Sequence, residues 1–376
     1  MSDTKRRKNA AAAEQQNGVV TNGNQATEQV DISKEDPEVL KHYYYQMVLI
    51  RRFEERAREM YTKAKIGGYC HLNLGEEATI VGLMAALKED DYIFTNYREH
   101  GYILARGAEP GPVMAELFGR ETGVSGGRGG SMHLFDANLH FMGGYGIVGG
   151  QVPLATGAAY ALKYKEQPGM VLCQVGDSTT NIGPWYESLN LAKLYQLPII
   201  FFIVNNGFGM GTSVEEHSSE PDLYKKGCSF RIHGEQVDGT DVLAVRDAVR
   251  RLRERAEKEH EPAILDVMSF RFIGHSVIDP DRYRDQEEVR HNRQLYDPLT
   301  AFARRLEEAG IVDDAWLKET ADRVEHEVQA AIDFADKSAP PRMEDLYQYM
   351  YATEVPNVVS NAEEEMFQAR LNGGGR

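Results

Sequence analysis

Three cysteines in 376 residues, Cys70, Cys173 and Cys228, are too few and too scattered for a disulfide framework or a cysteine-rich zinc cluster. That usage fits a reducing compartment. Long apolar runs are missing as well: the longest, Leu197 to Val204, has Pro198 near its start and falls far short of the roughly 18 residues that a membrane-spanning helix needs. No integral membrane helix is expected. Positive charge is in deficit, with 42 Lys and Arg against 58 Asp and Glu for a net charge of −16, so the chain lacks the electrostatic footprint of a nucleic-acid or anionic-membrane binder. Any anionic ligand must be held by local groups. Residues 1 to 30 have neither an aromatic residue nor the apolar core of a signal peptide, and Lys5-Arg6-Arg7-Lys8 gives way to Ala, Gln, Asn and Gly. A disordered tail is predicted over 1–35. Asp3, Glu14 and Glu28 spoil the acid-poor pattern of a mitochondrial presequence, which favours a bacterial-type cytoplasm over the mitochondrial matrix.

What is present suffices for a large core. Apolar residues make up 42% and charged residues 27%, ordinary values for a globular chain. From Tyr44 onward, Met47, Ile50, Phe53, Ala57 and Met60 recur at helical spacing. Glycine crowds the stretch from Gly119 to Gly157, including Ser125-Gly126-Gly127-Arg128-Gly129-Gly130 and Gly143-Gly144-Tyr145-Gly146, where backbone must turn sharply or lie close to a ligand. The middle alternates: Val171–Val175 reads as a strand, Trp185–Tyr195 as a helix, Pro198–Val204 as a strand covered on both faces, Asp241–Glu257 as a helix and Ile264–Phe270 as another strand. This predicts an α/β fold, a parallel sheet with helices on both faces. One domain is expected over 36–355, including charged helices over 297–337 broken at Gly310, with a tail over 356–376.

The chemistry concentrates at Gly176-Asp177-Ser178, directly after one strand, and Asn205-Asn206, at the end of the next. The separation is 205 − 177 = 28 residues. In parallel sheets ligands collect at the carboxyl ends of strands, and here two such ends present a carboxylate and an amide, both hard oxygen donors. Mg²⁺ prefers oxygen ligands and commonly bridges protein to phosphate, so Asp177, Asn206 and a carbonyl just beyond suit a metal diphosphate. A helix starting near Asn181 would point unpaired N–H groups at the same anion. A competing motif, Gly144-x-Gly146-x-x-Gly149, raises a nicotinamide-dependent oxidoreductase, but Asp136-Ala137-Asn138 precedes it instead of an apolar strand.

At these residues the chain resembles the thiamine diphosphate enzymes, and within them the alpha subunit of the decarboxylating component of 2-oxo acid dehydrogenase complexes. The family fingerprint is Gly-Asp-Gly, a spacer near thirty residues and Asn-Asn. The resemblance runs from about Lys41 to about Val355 and includes Gly67-Gly68-Tyr69-Cys70-His71-Leu72, which looks like the pyruvate branch, with Gly75-Glu76-Glu77-Ala78 following. Tyr97-Arg98-Glu99-His100-Gly101, Gly129-Gly130-Ser131-Met132-His133, Gly146-Ile147-Val148-Gly149 and Gly274-His275-Ser276 also match.

That resemblance implies thiamine diphosphate and Mg²⁺ as cofactors. Asp177, Asn206 and the carbonyl of Phe208 would hold the metal, and Tyr97 and Arg98 would grip the diphosphate, with Gly176, Ser178 and Thr179 beside it. Gly146 and Val148 would meet the aminopyrimidine, while His71 and His275 would line the reaction centre as catalytic residues, His275 also touching the cofactor. The implied activity is oxidative decarboxylation of pyruvate with transfer of the acetyl group to a lipoyl-bearing acyltransferase; branched-chain 2-oxo acids and acetoin stay open as substrates. The family's proton-abstracting glutamate lies on a separate beta subunit, so two alpha and two beta chains are expected, the alpha chain alone being inactive. Three positions depart from the family pattern: Ser178 replaces the last fingerprint glycine, Ile182 stands where Gln is common, and Ile273 where Arg or His is usual. Ser178 and Ile273 motivate a further reading, a non-catalytic paralogue.

Overall fold

The computed structural model describes residues 30–348. The chain enters through a 3-10 turn, Ile32–Lys34, and then helix α1 (Pro37–Thr62), which starts where the Asp36 carboxylate accepts the Glu38 N–H and Pro37 occupies a first-turn position that needs no donor. There follow α2 (Glu77–Ala86), β1 (Tyr92–Asn96), α3 (His100–Ala105), α4 (Pro110–Leu117), β2 (Phe141–Tyr145), α5 (Gln151–Tyr164), β3 (Val171–Gly176), α6 (Gly183–Leu194) and β4 (Ile199–Asn205). Next come a short hairpin of β5 (Phe208–Gly209) and β6 (Thr212–Ser213), then α7 (Val214–His217), β7 (His233–Asp238), α8 (Val242–Glu259) and β8 (Ala263–Met268). Helices α9 (Gln286–Tyr296), α10 (Pro298–Glu308) and α11 (Asp314–Lys337) complete the described chain, with α10 and α11 separated around Gly310 as expected.

Six strands make one parallel sheet in the order β2-β1-β3-β4-β8-β7. Strand β4 is buried throughout because its alternate residues serve two cores. Ile200, Phe202 and Val204 pack with residues of α1, α2 and α8, whereas Ile199, Phe201 and Ile203 pack with residues of α5 and α6. This two-sided burial is why the strand reads as an unbroken apolar run. On the first face α2 lies against α8 at Gly82, where a Cβ would stand 2.5 Å from Val242 O. After β1 the chain moves outward to β2 and then returns across β1 to β3, so connections leave in opposite directions between β1 and β3. Such a switch point opens a crevice at the carboxyl ends of the strands.

The structure corrects three expectations. The helix expected near Asn181 begins at Gly183, with extended Ile182 as its N-cap and Pro184 in the first turn, while Asp177–Asn181 forms a 3-10 turn in which Thr180 Oγ1 donates to Asp177 O at 2.7 Å. A strand does precede the Gly144-x-Gly146-x-x-Gly149 motif: β2 runs into it and α5 follows, so the missing-strand argument against a dinucleotide loop fails. Residues 30–35, placed by expectation in the tail, include a 3-10 turn, and Glu35 accepts two bonds from Arg246 at 2.6 and 2.7 Å. Residues 1–29 and the tail over 356–376 lie outside the described residues.

Candidate active site

Four strand ends converge at the crevice. Beyond β1, Asn96 Oδ1 accepts the Arg98 N–H at 2.9 Å and turns Tyr97 and Arg98 across the end of the sheet. Beyond β3 comes Asp177, beyond β4 Asn206, and beyond β8 the segment from Arg271 to His275. The β4 end is braced from both sides, since Asn205 Oδ1 accepts the Gly207 N–H at 3.1 Å and Asn205 O accepts the Ser269 N–H at 2.8 Å.

Asp177 is only 2% exposed; Oδ1 accepts the Ser178 N–H at 2.5 Å, while Oδ2 is buried without a partner among the described residues. Burial raises its pKa, opposed by the Ser178 N–H, His217, Arg271 and the Asn206 N–H. The carboxyl group therefore sits among positive and donor groups but lacks the one ligand that would offset its desolvation. Asn206 and Phe208, both half-buried, continue the chain from this point, the Asn206 side-chain oxygen lying 3.4 Å from the Phe208 nitrogen.

Two arginines supply a second imbalance. Arg98 donates to Leu72 O and His275 O, each at 2.8 Å, and Arg271 donates to Ile273 O at 3.1 Å, Met210 O at 3.0 Å and the Tyr283 hydroxyl at 2.7 Å. Both are buried, and among the described residues neither is paired with a carboxylate. Burial, then the neighbouring Arg98, lowers the pKa of Arg271, with Glu76 only partly opposing them. Guanidinium groups so placed match phosphate oxygens.

The two histidines meet here. The His71 ring lies 4.3 Å from that of Tyr97 and 5.0 Å from that of His275, and Tyr97 Oη is 3.4 Å from His275 Nε2. Burial, then Arg98, depresses both: His71 to about 2 and His275 to about 3, so both imidazoles are neutral near pH 7. Each keeps a buried Nδ1 without a hydrogen-bond partner among the described residues. Thr179 is buried in the turn that follows Asp177, and Gly149, ending the turn after β2, abuts it: a Cβ there would stand 1.9 Å from Ile182 Cδ1 and 3.3 Å from Thr179 Cγ2. Gly146 borders His133, and Val148 is 46% exposed on the rim.

Part of the glycine-rich stretch serves the protein itself. The Glu116 carboxylate, from α4, accepts N–H bonds from Ser125 and Gly127 at 2.8 Å, Gly129 at 2.7 Å and Gly130 at 3.1 Å. Sequence reasoning also passed over Arg271, whose only signal is its place three residues beyond β8, and His217, which looks like an ordinary end of a short helix.

The donor set fits a metal diphosphate. A hard carboxylate with an orphan oxygen, an amide oxygen and a nearby carbonyl suit Mg²⁺, and two unpaired guanidiniums suit the anion. Among the described residues no group of three or more His, Cys, Asp or Glu side chains is arranged as a metal cluster, so a cysteine- or histidine-rich centre is not the alternative.

Comparison with known proteins gives the family. The family model described as Dehydrogenase E1 component matches residues 45–344. The chain is 44% identical over 317 residues to the pyruvate dehydrogenase E1 component subunit alpha of Rhizobium meliloti (strain 1021), covering 84% of this chain and 90% of that one. It is 44% identical over 313 residues to the subunit of the same name from Zymomonas mobilis, covering 83% and 88%. The similarity to the mitochondrial type II subunit alpha of Ascaris suum is 43% over 315 residues, covering 83% and 79%.

Proposed function

The chain belongs to the dehydrogenase E1 component family, and on that premise we propose that it is the alpha subunit of a pyruvate dehydrogenase that uses thiamine diphosphate and Mg²⁺. The observation that carries the reading is the buried, half-satisfied Asp177 carboxyl group near Arg271, whose guanidinium, like that of neighbouring Arg98, has no carboxylate partner among the described residues. Asp177, the Asn206 side chain and the Phe208 carbonyl would hold the metal; Arg98, Arg271 and Tyr97 would hold the diphosphate, with Gly176, Ser178 and Thr179 lining it. Gly146 and Val148 would border the ring end.

Thiamine diphosphate, when bound, supplies the nucleophilic carbon and the electron sink for decarboxylating a 2-oxo acid. The chain's own residues do the rest. Arg98 and Arg271 offset the anion, so binding relieves the repulsion between them. His71 and His275 face the reacting end as neutral imidazoles, able to donate or accept a hydrogen bond without placing a cation beside a carboxylate substrate. Tyr97, packed on both, fixes their rings.

The partners in this reading are a beta subunit, in a tetramer of two alpha and two beta chains, and a lipoyl-bearing acyltransferase. Exposed apolar residues support a covering subunit: Ile147 and Val148 at the rim of the site, and Leu154, Tyr160, Leu191 and Leu194 along α5 and α6. No helix among the described residues is long and apolar enough to cross a membrane, and the bacterial relatives favour the cytoplasm as its location. Reconstitution with the beta subunit tests the function. Pyruvate-dependent acetylation of a lipoyl domain that requires both thiamine diphosphate and Mg²⁺ is expected; preference for a branched-chain 2-oxo acid would reassign the substrate, and cofactor-independent subunit binding without turnover would make the chain a scaffold.

A further inference from the structure

One unsatisfied atom at the strand ends belongs to a residue outside the set just described. His217 ends α7, and its Nε2 is buried, has no hydrogen-bond partner among the described residues and lies 3.8 Å from Asp177 Oδ1. That distance is too long for a hydrogen bond, so two polar groups stand unbonded next to each other.

The other ring nitrogen fixes where the proton sits. Lys226 Nζ can only donate, and it donates to Asn181 Oδ1 at 2.7 Å. Asn181 must then turn its amide nitrogen toward His217, where it donates to His217 O at 2.9 Å and lies 2.9 Å from His217 Nδ1. Nδ1 is thereby an acceptor, and a neutral ring carries its hydrogen on Nε2, toward Asp177. Lys226 is itself anchored by Thr180 Oγ1 at 2.8 Å, so the relay is tied into the 3-10 turn that follows Asp177.

We propose that His217 is a further ligand-binding residue of this site, its Nε2–H donating to a phosphate oxygen of the magnesium-bound diphosphate, with Asn181 and Lys226 as positioning residues. The inference rests on the thiamine diphosphate reading above. An Nε2–H donor adds a directional bond on the metal side, complementing the grip of Arg98 and Arg271. It also relates to Ser178: a Cβ on Gly209 would stand 2.6 Å from Ser178 Cβ and 3.6 Å from His217 Cδ2, so the departure from the fingerprint and this histidine flank the same glycine.

Calorimetric titration of the alpha–beta complex with magnesium pyrophosphate tests it. His217→Phe, which keeps a ring but no donor, is expected to raise Kd about tenfold, the size of one hydrogen bond to a charged oxygen. His217→Gln, which restores an N–H near the same point, should recover most of that loss, and Lys226→Met should weaken binding about threefold by freeing Asn181 to turn. Wild-type Kd in His217→Phe overturns the inference, as does equal weakening by Phe and Gln, which would assign the effect to packing. Weakening of Mg²⁺ binding alone, with pyrophosphate affinity intact, would overturn the phosphate contact in favour of a metal-bound water. If the wild-type complex fails to bind magnesium pyrophosphate, the thiamine diphosphate reading falls with it; in every other outcome that reading stands.

Discussion

Two buried carboxyl groups, Glu116 in α4 and Asp177 in the turn after β3, are treated in opposite ways. Glu116 is fully buried and its two oxygens take four backbone N–H bonds from the 125–130 loop, so no capacity for a ligand is left over. Asp177 takes one such bond and keeps a buried oxygen with no partner. Protein interiors rarely leave polar groups unpaired, so the first region is finished structure and the second is waiting for something. The contrast separates scaffold from site more sharply than glycine density does.

Substitutions should split along that line. Glu116→Ala strands four backbone donors and is expected to cost about 4 kcal/mol of unfolding free energy, read by urea denaturation, because each unsatisfied buried donor costs about 1–3 kcal/mol and water can reach some of them. Asp177→Asn should do the reverse. It removes a desolvated charge and is expected to leave stability unchanged or slightly raised, while the Kd for magnesium pyrophosphate rises about a hundredfold through loss of an anionic metal ligand. A stability loss in Asp177→Asn as large as that in Glu116→Ala would erase the distinction.

The sequence shows one of these regions and hides the other for a physical reason. Asp177 and Asn206 each follow a strand that is largely apolar, broken only by Gln174 in β3 and ended by Asn205 in β4, and double-sided burial makes both readable, so their ends can be located to a residue or two. Glu116 lies in α4, where a lone acid resembles any solvated helix position, and its partners arrive 9 to 14 residues later in a loop whose path only the fold determines. The same holds for Arg271 and His217, which reach the site through turns with no periodic pattern. Strands β1, β2 and β7 are short and include polar or glycine residues, so their membership in the sheet shows only in the pairing.

The pH response should also divide site from scaffold. His71 is buried, and its folded pKa of about 2 lies below the ordinary 6.5. The unfolded chain takes up a proton as pH falls through 6.5 and the folded chain does not, so this contribution to stability is complete above pH 6.5 and is lost progressively as pH drops toward about 2. The limiting slope is about 1.4 kcal/mol per pH unit. Chemical denaturation at pH 7, 6 and 5 should therefore show a wild-type stability that declines relative to His71→Phe as the solution is acidified. Parallel pH curves for the two proteins would mean that His71 is protonated in the folded state, and its role as a neutral group would have to be abandoned.

The smallest effect belongs to a third buried acid, Glu99, which completes the comparison with Glu116. Burial pushes its pKa well above the usual carboxyl range, and Leu134 N–H donates to Oε1 at 2.7 Å. The Thr95 hydroxyl has a single hydrogen, and two acceptors lie within reach: Gly143 O at 3.2 Å and Glu99 Oε2 at 3.3 Å. Giving that hydrogen to the carbonyl, which cannot donate, leaves the Thr95 oxygen to accept a hydrogen bond from the O–H of a neutral Glu99, and every group is then satisfied. Gln reproduces this pattern, with its amide N–H toward Thr95 and its oxygen toward Leu134. Glu99→Gln is accordingly expected to change the unfolding free energy by less than about 1 kcal/mol, while Glu116→Gln, which turns an amide N–H against two of the four loop donors, should cost at least about 2 kcal/mol. Comparable losses in the two variants would show that Glu99 is ionised, and that the fold carries two charged hubs instead of one charged and one neutral.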